Sequence, residues 1–326
     1  GSHTLVDLIK AGHEVLCIDN FINSDISALR GVEEITGKPI QWIEADLCDL
    51  PVLEDLFARH DIQSIIHFAA LKAVGESVER PLAYYHNNIT GMINLLRCQQ
   101  KFKVRDFIFS SSCSVYGNAE DLPVTEDTPL QPPESPYART KKMCEEMIMD
   151  VAVAFPDSNF IILRYFNPAG AHDTNIIGES PRNVASNLVP VITEVAIGKR
   201  KELLVFGSDY PTRDGTCVRD FIHIMDLAHA HTLALEYLLE GHNEGTVEIF
   251  NLGSGSGSTV LEVIKAFEKI SGQALNYRMA PRRPGDVMAV YADYSKAESR
   301  LGWTPERDIE VIMQTAWAWE KKRQSS

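Results

Sequence analysis

Nowhere in the 326 residues do 18 apolar residues run together, so no segment reads as a membrane-spanning helix. The first residues also lack the basic-then-apolar plan of a secretion signal. The six cysteines, Cys17, Cys48, Cys98, Cys113, Cys144 and Cys217, contain no Cys-x-x-Cys pair, which removes a zinc knuckle and a redox dithiol. Scattered cysteines in a chain this long fit a reducing compartment, and the expected location is cytoplasmic. Neither His-Glu-x-x-His nor a Gly-x-x-x-x-Gly-Lys-Ser/Thr loop is present, and no metal is expected. Basic residues are short as well: 31 Lys and Arg stand against 45 Asp and Glu, a net charge of −14. Such a surface repels phosphate backbones, so neither nucleic acid nor an anionic membrane is an expected partner. Any anion bound here must be held by local cations and backbone N–H groups.

What is present is an ordinary globular balance, 44% hydrophobic and 23% charged. The first half alternates helical and strand patterns. Helical stretches are read at Thr4–Lys10, Leu53–Arg59, Asn87–Phe102 and Ser135–Phe155. Strands are read at Glu14–Ile18, Ile40–Ala45, Ser64–Phe68, Asp106–Ser110 and Phe160–Tyr165. Ser135 is placed as the N-cap of its helix, with Pro136 at the first helical position. This alternation implies an α/β fold: a doubly wound parallel sheet of Rossmann type, with ligands at the carboxyl ends of its strands. A Gly/Pro/Asn-rich stretch, 167–190, marks a boundary between residues 1–167, the dinucleotide-binding domain, and residues 168–326, a smaller mixed α/β substrate domain. In the latter, helices are expected near Val189–Ile197, Met225–Leu239 and Val260–Ile270, and strands near Leu203–Phe206 and Glu248–Asn251.

The chemistry-bearing signal is Tyr137-Ala-Arg-Thr-Lys141 near a helix start, with the phenol and the ammonium on one face. An ammonium favours the phenolate, but bringing a pKa of about 10 to 7 costs roughly 4 kcal/mol, more than one lysine supplies. A strand ends at Ser110-Ser111-Ser112, where a hydroxyl can hydrogen-bond a substrate oxygen while Tyr137 moves its proton. Asp19 lies 18 residues after Gly1, where an acidic residue meets adenosine ribose hydroxyls, which favours NAD over NADP. Gly253-Ser-Gly-Ser-Gly257 is not Gly-x-Gly-x-x-Gly and has no acidic residue about 20 positions on, so it reads as a structural loop.

Ser110-Ser111-Ser112 with Val115-Tyr116-Gly117 and Tyr137-x-x-x-Lys141 resembles the extended short-chain dehydrogenase/reductases. Phe68-Ala-Ala-Leu-Lys-Ala-Val-Gly-Glu-Ser77, Arg164-Tyr-Phe-Asn-Pro168, Asp209-Tyr-Pro-Thr212, Val218-Arg-Asp220, Asn251-Leu-Gly253 and Pro281-Arg-Arg-Pro-Gly-Asp286 narrow the resemblance, over essentially the whole chain, to the UDP-galactose 4-epimerases.

The resemblance implies that Tyr137 takes the proton of the sugar 4-hydroxyl, that Ser112 hydrogen-bonds that oxygen, and that hydride passes to a tightly held NAD and back to the opposite face. Lys141 is then expected to lower the pKa of Tyr137 and bind the nicotinamide ribose. Cofactor contacts are expected at Gly1, Asp19, Asn20, Asp46, Leu47, Phe68, Lys72, Asn87, Tyr137, Lys141 and Tyr165. Contacts with a UDP-hexose are expected at Ser112, Phe166, Asn167, Asn187, Leu188, Phe206, Arg219, Arg283 and Asp286. Against the family pattern Gly1 falls on the last glycine of the cofactor fingerprint. On that reading an N-terminal truncation removes the first strand, leaving a less stable protein that binds NAD poorly, and a catalytically impaired fragment that only binds NAD and UDP-sugar stays open as the alternative. Cys113-Ser114 stand where 4,6-dehydratases carry Asp-Glu, which argues against that chemistry. Cys217 replaces an expected glycine, a costly exchange if its φ is positive. Val290 occupies a position that limits sugar size, so N-acetylated UDP-hexoses, and UDP-glucuronate beside them, stay open as substrates. A homodimer through the helices at Asn87–Phe102 and Ser135–Phe155 is expected.

Overall fold

A computed structural model describes residues 1–182, 184–283 and 286–325. The first half runs α1 (Ser2–Ala11), β1 (Leu16–Asp19), α2 (Ser27–Thr36), β2 (Gln41–Glu44), α3 (Leu50–Arg59), β3 (Ser64–His67), α4 (Val74–Glu79) and α5 (Pro81–Tyr85). A π-helical turn, His86–Thr90, leads into α6 (Gly91–Phe102). Then come β4 (Asp106–Ser112), a 3-10 turn (Cys113–Tyr116), α7 (Pro136–Ala154) and β5 (Asn159–Tyr165). The second half contributes β6 (Asn167–Ala169), α8 (Leu188–Ala196), β7 (Leu203–Phe206), β8 (Val218–Arg219), β9 (Phe221–His223), α9 (Ile224–Leu239) and β10 (Val247–Leu252). It closes with β11 (Ser258–Thr259), α10 (Val260–Ser271), β12 (Tyr277–Ala280), β13 (Ala289–Val290), α11 (Ser295–Leu301) and α12 (Ile309–Ser325).

The main sheet is parallel, in the order β10-β5-β4-β3, and β1 and β2 form a separate parallel pair. Strand alternation sorts its side chains onto two faces. Phe107, Phe109, Phe160 and Ile162 pack under α3, α6 and α7, against Leu53, Phe57, Met92, Leu95 and Ile148. Ile108, Ile161, Leu163 and Phe250 pack under α1 and α9, against Leu8, Leu227, Leu235 and Leu238. Each such fully buried side chain stabilises the fold by about 1.5–3 kcal/mol. A third core, with Ile192, Phe267, Ile312 and Trp317, joins α8, α10 and α12.

Several features were not expected from the sequence, among them the helices α4, α5, α11 and α12. The chain returns to the main sheet after residue 168, because β10 pairs with β5 from Val247↔Phe160 to Leu252↔Tyr165 and α9 covers the same face. The sheet therefore draws on both sides of the 167/168 division. The helix α2 was also unforeseen: it has Gly31 at its middle and no side-chain N-cap, so its start signal is weak although Gly37 marks its end. The N-terminus of α7 follows expectation, since Ser135 Oγ accepts from Ala138 N at 3.2 Å and Pro136 opens the helix.

Candidate active site

The three serines of β4 alternate in partner because successive residues of a strand face opposite ways. Ser111, on the α7 side, donates to Glu145 Oε1, and Glu145 is held bidentate by Arg164 of β5. Ser110, on the α9 side, bonds His231 Nε2 at 3.0 Å through its hydroxyl and accepts Lys141 Nζ at 2.7 Å on its carbonyl. Ser112 ends the strand and accepts the Ser114 N–H at 3.2 Å. Its hydroxyl also acts on the Tyr137 phenol, drawing that group's pKa down. Ser112, Tyr137 and Lys141 are therefore gathered at the carboxyl end of β4.

The electrostatics differ from a simple phenol–ammonium pair. Burial pushes the Tyr137 phenol well above its ordinary value, the neighbouring Tyr165 adds to this, and the Ser112 hydroxyl works against it. Burial brings Lys141 down to about 8. Its ammonium is tied to the Ser110 carbonyl and lies 4.8 Å from the Phe109 ring centre. Ser114 Oγ is buried with no protein partner, an orphan that a bound polar ligand can satisfy.

A cavity of about 1880 Å3 opens between β1 and β3 and reaches the start of α1. It is lined by Gly1, Asp19, Asn20, Asp46, Leu47, Phe68, Lys72 and Asn87, which brings together eight of the expected cofactor contacts. Tyr137, Lys141 and Tyr165 stand outside its lining; the Phe68 ring reaches towards them by stacking on His231 at 4.6 Å, with Tyr165 at 6.2 Å from the same imidazole. The donor set fits a dinucleotide. Asp19 Oδ1 takes the Phe21 N–H and the Ser24 hydroxyl, each at 2.8 Å, which leaves Oδ2 for ribose hydroxyls. Asp46 bonds Asn20 and the Cys48 N–H, and the latter bond is the main reason its carboxyl lies below the usual range. The first N–H groups of α1 have no side-chain cap, as a phosphate site requires.

The expected substrate residues form a second cluster, set by two strand pairs. In the β7–β12 pair Phe206 lies opposite Ala280, so the segments after both strands leave at the same end. In the β8–β13 pair Arg219 lies opposite Val290. Asp286 receives Arg283 as a fork, at 3.1 and 3.3 Å, and has Arg219 at 3.8 Å. Arg283 also stacks over Phe206 at 4.7 Å. Asn167 donates to the Asp220 carbonyl, and Asn187 donates to Glu179. Leu188 opens α8 and packs on the third core. Phe166 is turned inward: its ring is buried with Val115, Tyr116, Val124, Val290 and Ala292.

The concern over Cys217 does not hold, for its φ is not positive and no left-handed strain arises. The Gly253–Gly257 loop is structural. The N–H groups of Ser254 and Gly255 already bond the Asp220 carboxylate, and a Cβ on Gly253 would lie 2.4 Å from it. Sequence reasoning missed Asn88, which clasps Leu71 through both backbone groups and donates to Thr140, tying the Phe68–Lys72 loop to the helix of Tyr137. Its only signal is the π-helical turn, a feature frequent at functional sites, and that is invisible in the sequence. The six cysteines are all free, and among the described residues no helix is long and apolar enough to cross a membrane and no cluster can hold a metal.

A serine–tyrosine–lysine group at a strand end of a parallel sheet, with Asp19, Asp46 and the start of α1 lining a neighbouring cavity, is the arrangement of an enzyme of the short-chain dehydrogenase/reductase type. The profile of the family described as GDP-mannose 4,6 dehydratase matches residues 1–316. A UDP-glucose 4-epimerase of Bacillus subtilis (strain 168) is 48% identical over 320 residues, covering 98% of this chain and 93% of that protein. The crystal structure of UDP-glucose 4-epimerase from Bifidobacterium longum in complex with NAD+ and UDP has a TM-score of 0.95 at 44% identity, covering 99% of this chain and 95% of that one. The Stenotrophomonas maltophila UDP-glucose-4-epimerase, with bound NAD and formylated UDP-arabinopyranose, has a TM-score of 0.96 at 42% identity, covering 100% and 96%. The chain belongs to this extended short-chain dehydrogenase/reductase family, among its UDP-glucose 4-epimerases.

Proposed function

We propose that the protein interconverts UDP-glucose and UDP-galactose with NAD as its cofactor. The observation that carries this reading is the convergence of Ser112, Tyr137 and Lys141 at the end of β4, in a chain nearly half identical to epimerases over almost its full length. NAD, when bound, supplies the redox chemistry at the sugar C4. Asp19 and Asp46 hold its adenosine end, the start of α1 its phosphates, and Phe68, Lys72, Asn87 and Tyr165 its nicotinamide side. Tyr137 Oη takes the proton of the sugar 4-hydroxyl and returns it, Ser112 Oγ steadies that oxygen, and the Lys141 ammonium favours the phenolate. Arg219 and Arg283 hold the substrate diphosphate, with Asp286 orienting both guanidinium groups. Phe206, Asn167, Asn187 and Leu188 enclose uridine and sugar. Residues 1–167 carry most of the cofactor site and residues 168–326 most of the substrate site. The helices α6 and α7 pair two copies, since Ile93, Met149 and Val153 lie exposed on them.

The test is conversion of UDP-galactose to UDP-glucose with added NAD+. Turnover that disappears in Tyr137→Phe supports the assignment. Turnover unchanged in that variant, or none in the wild type while UDP still binds, overturns it. UDP-N-acetylglucosamine offered in parallel shows whether the small Val290 admits an N-acetyl group.

A further inference from the structure

Behind the reacting groups, on the opposite face of the sheet, lies a histidine with no part in the chemistry above. His231 sits on α9, fully buried, between Phe68 and Tyr165. Its Nδ1 is 2.8 Å from the carbonyl of Leu227, one turn back on the same helix, and its Nε2 is 3.0 Å from Ser110 Oγ. A carbonyl only accepts, so Nδ1 carries the proton. Burial holds the ring neutral, with its pKa at about 4, so Nε2 is bare and accepts the Ser110 hydroxyl proton. Tyr165 lies beside the same imidazole, with its ring centre 6.2 Å away. The chain of bonds runs one way, from Ser110 to His231 to the Leu227 carbonyl. Ser110 is also the residue whose carbonyl receives the Lys141 ammonium at 2.7 Å.

We infer that His231 is a positioning residue: by holding the Ser110 side chain it fixes the residue whose backbone carbonyl seats the Lys141 ammonium, one helical turn from Tyr137. The inference rests on the proposed roles of Tyr137 and Lys141. Nothing is bonded or cleaved at His231 itself. Its effect is to fix the side chain of the residue whose backbone carbonyl anchors the Lys141 ammonium.

Three variants test it. His231→Leu removes both ring nitrogens, His231→Gln returns an amide near the position of Nε2, and Ser110→Ala removes the partner. In the Leu and Ala variants kcat is expected to fall about tenfold, the loss of one buried hydrogen bond of about 1.4 kcal/mol, with KM changed less than twofold. The Gln variant should recover to within about threefold of wild type, a difference worth roughly 0.7 kcal/mol. The His231→Leu/Ser110→Ala double variant should be no slower than either single one, because both remove the same bond. Equal losses in Gln and Leu, multiplying losses in the double variant, or an unchanged kcat in Leu would overturn the inference.

Two readouts need no turnover and separate this inference from the functional reading. Imidazole 15N spectra, assigned by the signal missing from His231→Gln, should show Nδ1 protonated and Nε2 bare; the opposite tautomer refutes the chain. Peptide-level acylation should label Lys141 at least fivefold faster in His231→Leu than in wild type, and equal labelling refutes the seating of Lys141. If these two hold while UDP-galactose is not turned over, the functional assignment falls and the positioning role stands. If His231→Leu does not fold, Ser110→Ala and His231→Gln decide the same points.

Discussion

At the end of β4 the polar groups are withdrawn from water, whereas around Asp286 they are not. The Glu145 and Arg164 side chains are each 4% exposed, Lys141 and His231 are buried as well, and Tyr137 is half-buried at their edge. The Arg283 side chain is 52% exposed, and Arg282 and Asp209, which pair beside it, are more open than buried groups of the sheet. In the first region desolvation governs each group, lifting the phenols and lowering the lysine and histidine. In the second, ion pairs in high dielectric govern, and water and salt screen them. The difference predicts a division of labour. Changes at the strand end should act on the rate of the proton step and on folding, and changes at the arginine cluster should act on substrate affinity.

The largest expected effect tests that division directly. Tyr137→Phe keeps the ring and removes the phenol hydroxyl, so kcat should fall by about 10^2–10^4 while UDP-sugar affinity is retained. Steady-state kinetics with a separate binding measurement checks this. A loss carried by KM would erase the contrast between the regions. Next comes Glu145→Ala, which leaves Arg164 buried without its carboxylate and Ser111 without its acceptor. Breaking such a buried pair costs about 3–5 kcal/mol, so the urea midpoint should drop sharply. A shift of only a few tenths of a kcal/mol would mean that water reaches the pair.

Much of the strand-end region was legible because its signals are local. Ser135 and Pro136 announce the start of α7, and from there the helical period places Tyr137 and Lys141 on one face. The alternation of strands and helices announces the parallel sheet and hence the end of β4 as the reactive place. What the sequence could not disclose is long-range. His231 lies 121 residues from Ser110, Asn251 reaches Tyr116 across 135, and Asn88 reaches Thr140 across 52. No spacing rule links such pairs; only the assembled sheet brings them into contact. The return of β10 to the main sheet was hidden for the same reason. The arginine cluster was legible by resemblance and not by pattern, since isolated arginines between short strands carry no periodicity. Its geometry comes from the registers of β7–β12 and β8–β13.

The exposed cluster sharpens the comparison at a smaller scale. Arg283→Ala removes a fork that would meet the diphosphate, a charge-assisted contact of about 1.5–3 kcal/mol. KM for UDP-galactose should rise roughly 10- to 100-fold with kcat almost unchanged, as those energies convert. Added salt should weaken binding in the wild type and do so less in the variant, because the screened charge is gone. A kcat loss equal to the KM effect would place Arg283 at the reacting centre and merge the two regions.

The last comparison concerns acid. His67, His223 and His231, all on the sheet or at α9, have pKa values of about 3, 4 and 4, and burial is the chief cause of each. In the unfolded chain these imidazoles take protons near pH 6.5, and in the folded protein they do so only near pH 3–4. Between those limits the unfolded state binds more protons, so stability falls as pH drops from 6.5 towards 4. Each histidine contributes a slope on the order of 1 kcal/mol per pH unit. Urea midpoints at pH 7.5, 6 and 5 should trace the fall, and His67→Phe, which keeps a ring stacked on Phe109 at the imidazole's place, should flatten it. Equal slopes in the variant and the wild type would mean that His67 already titrates in the folded state. That would put water at β3, inside the region whose behaviour depends on its exclusion.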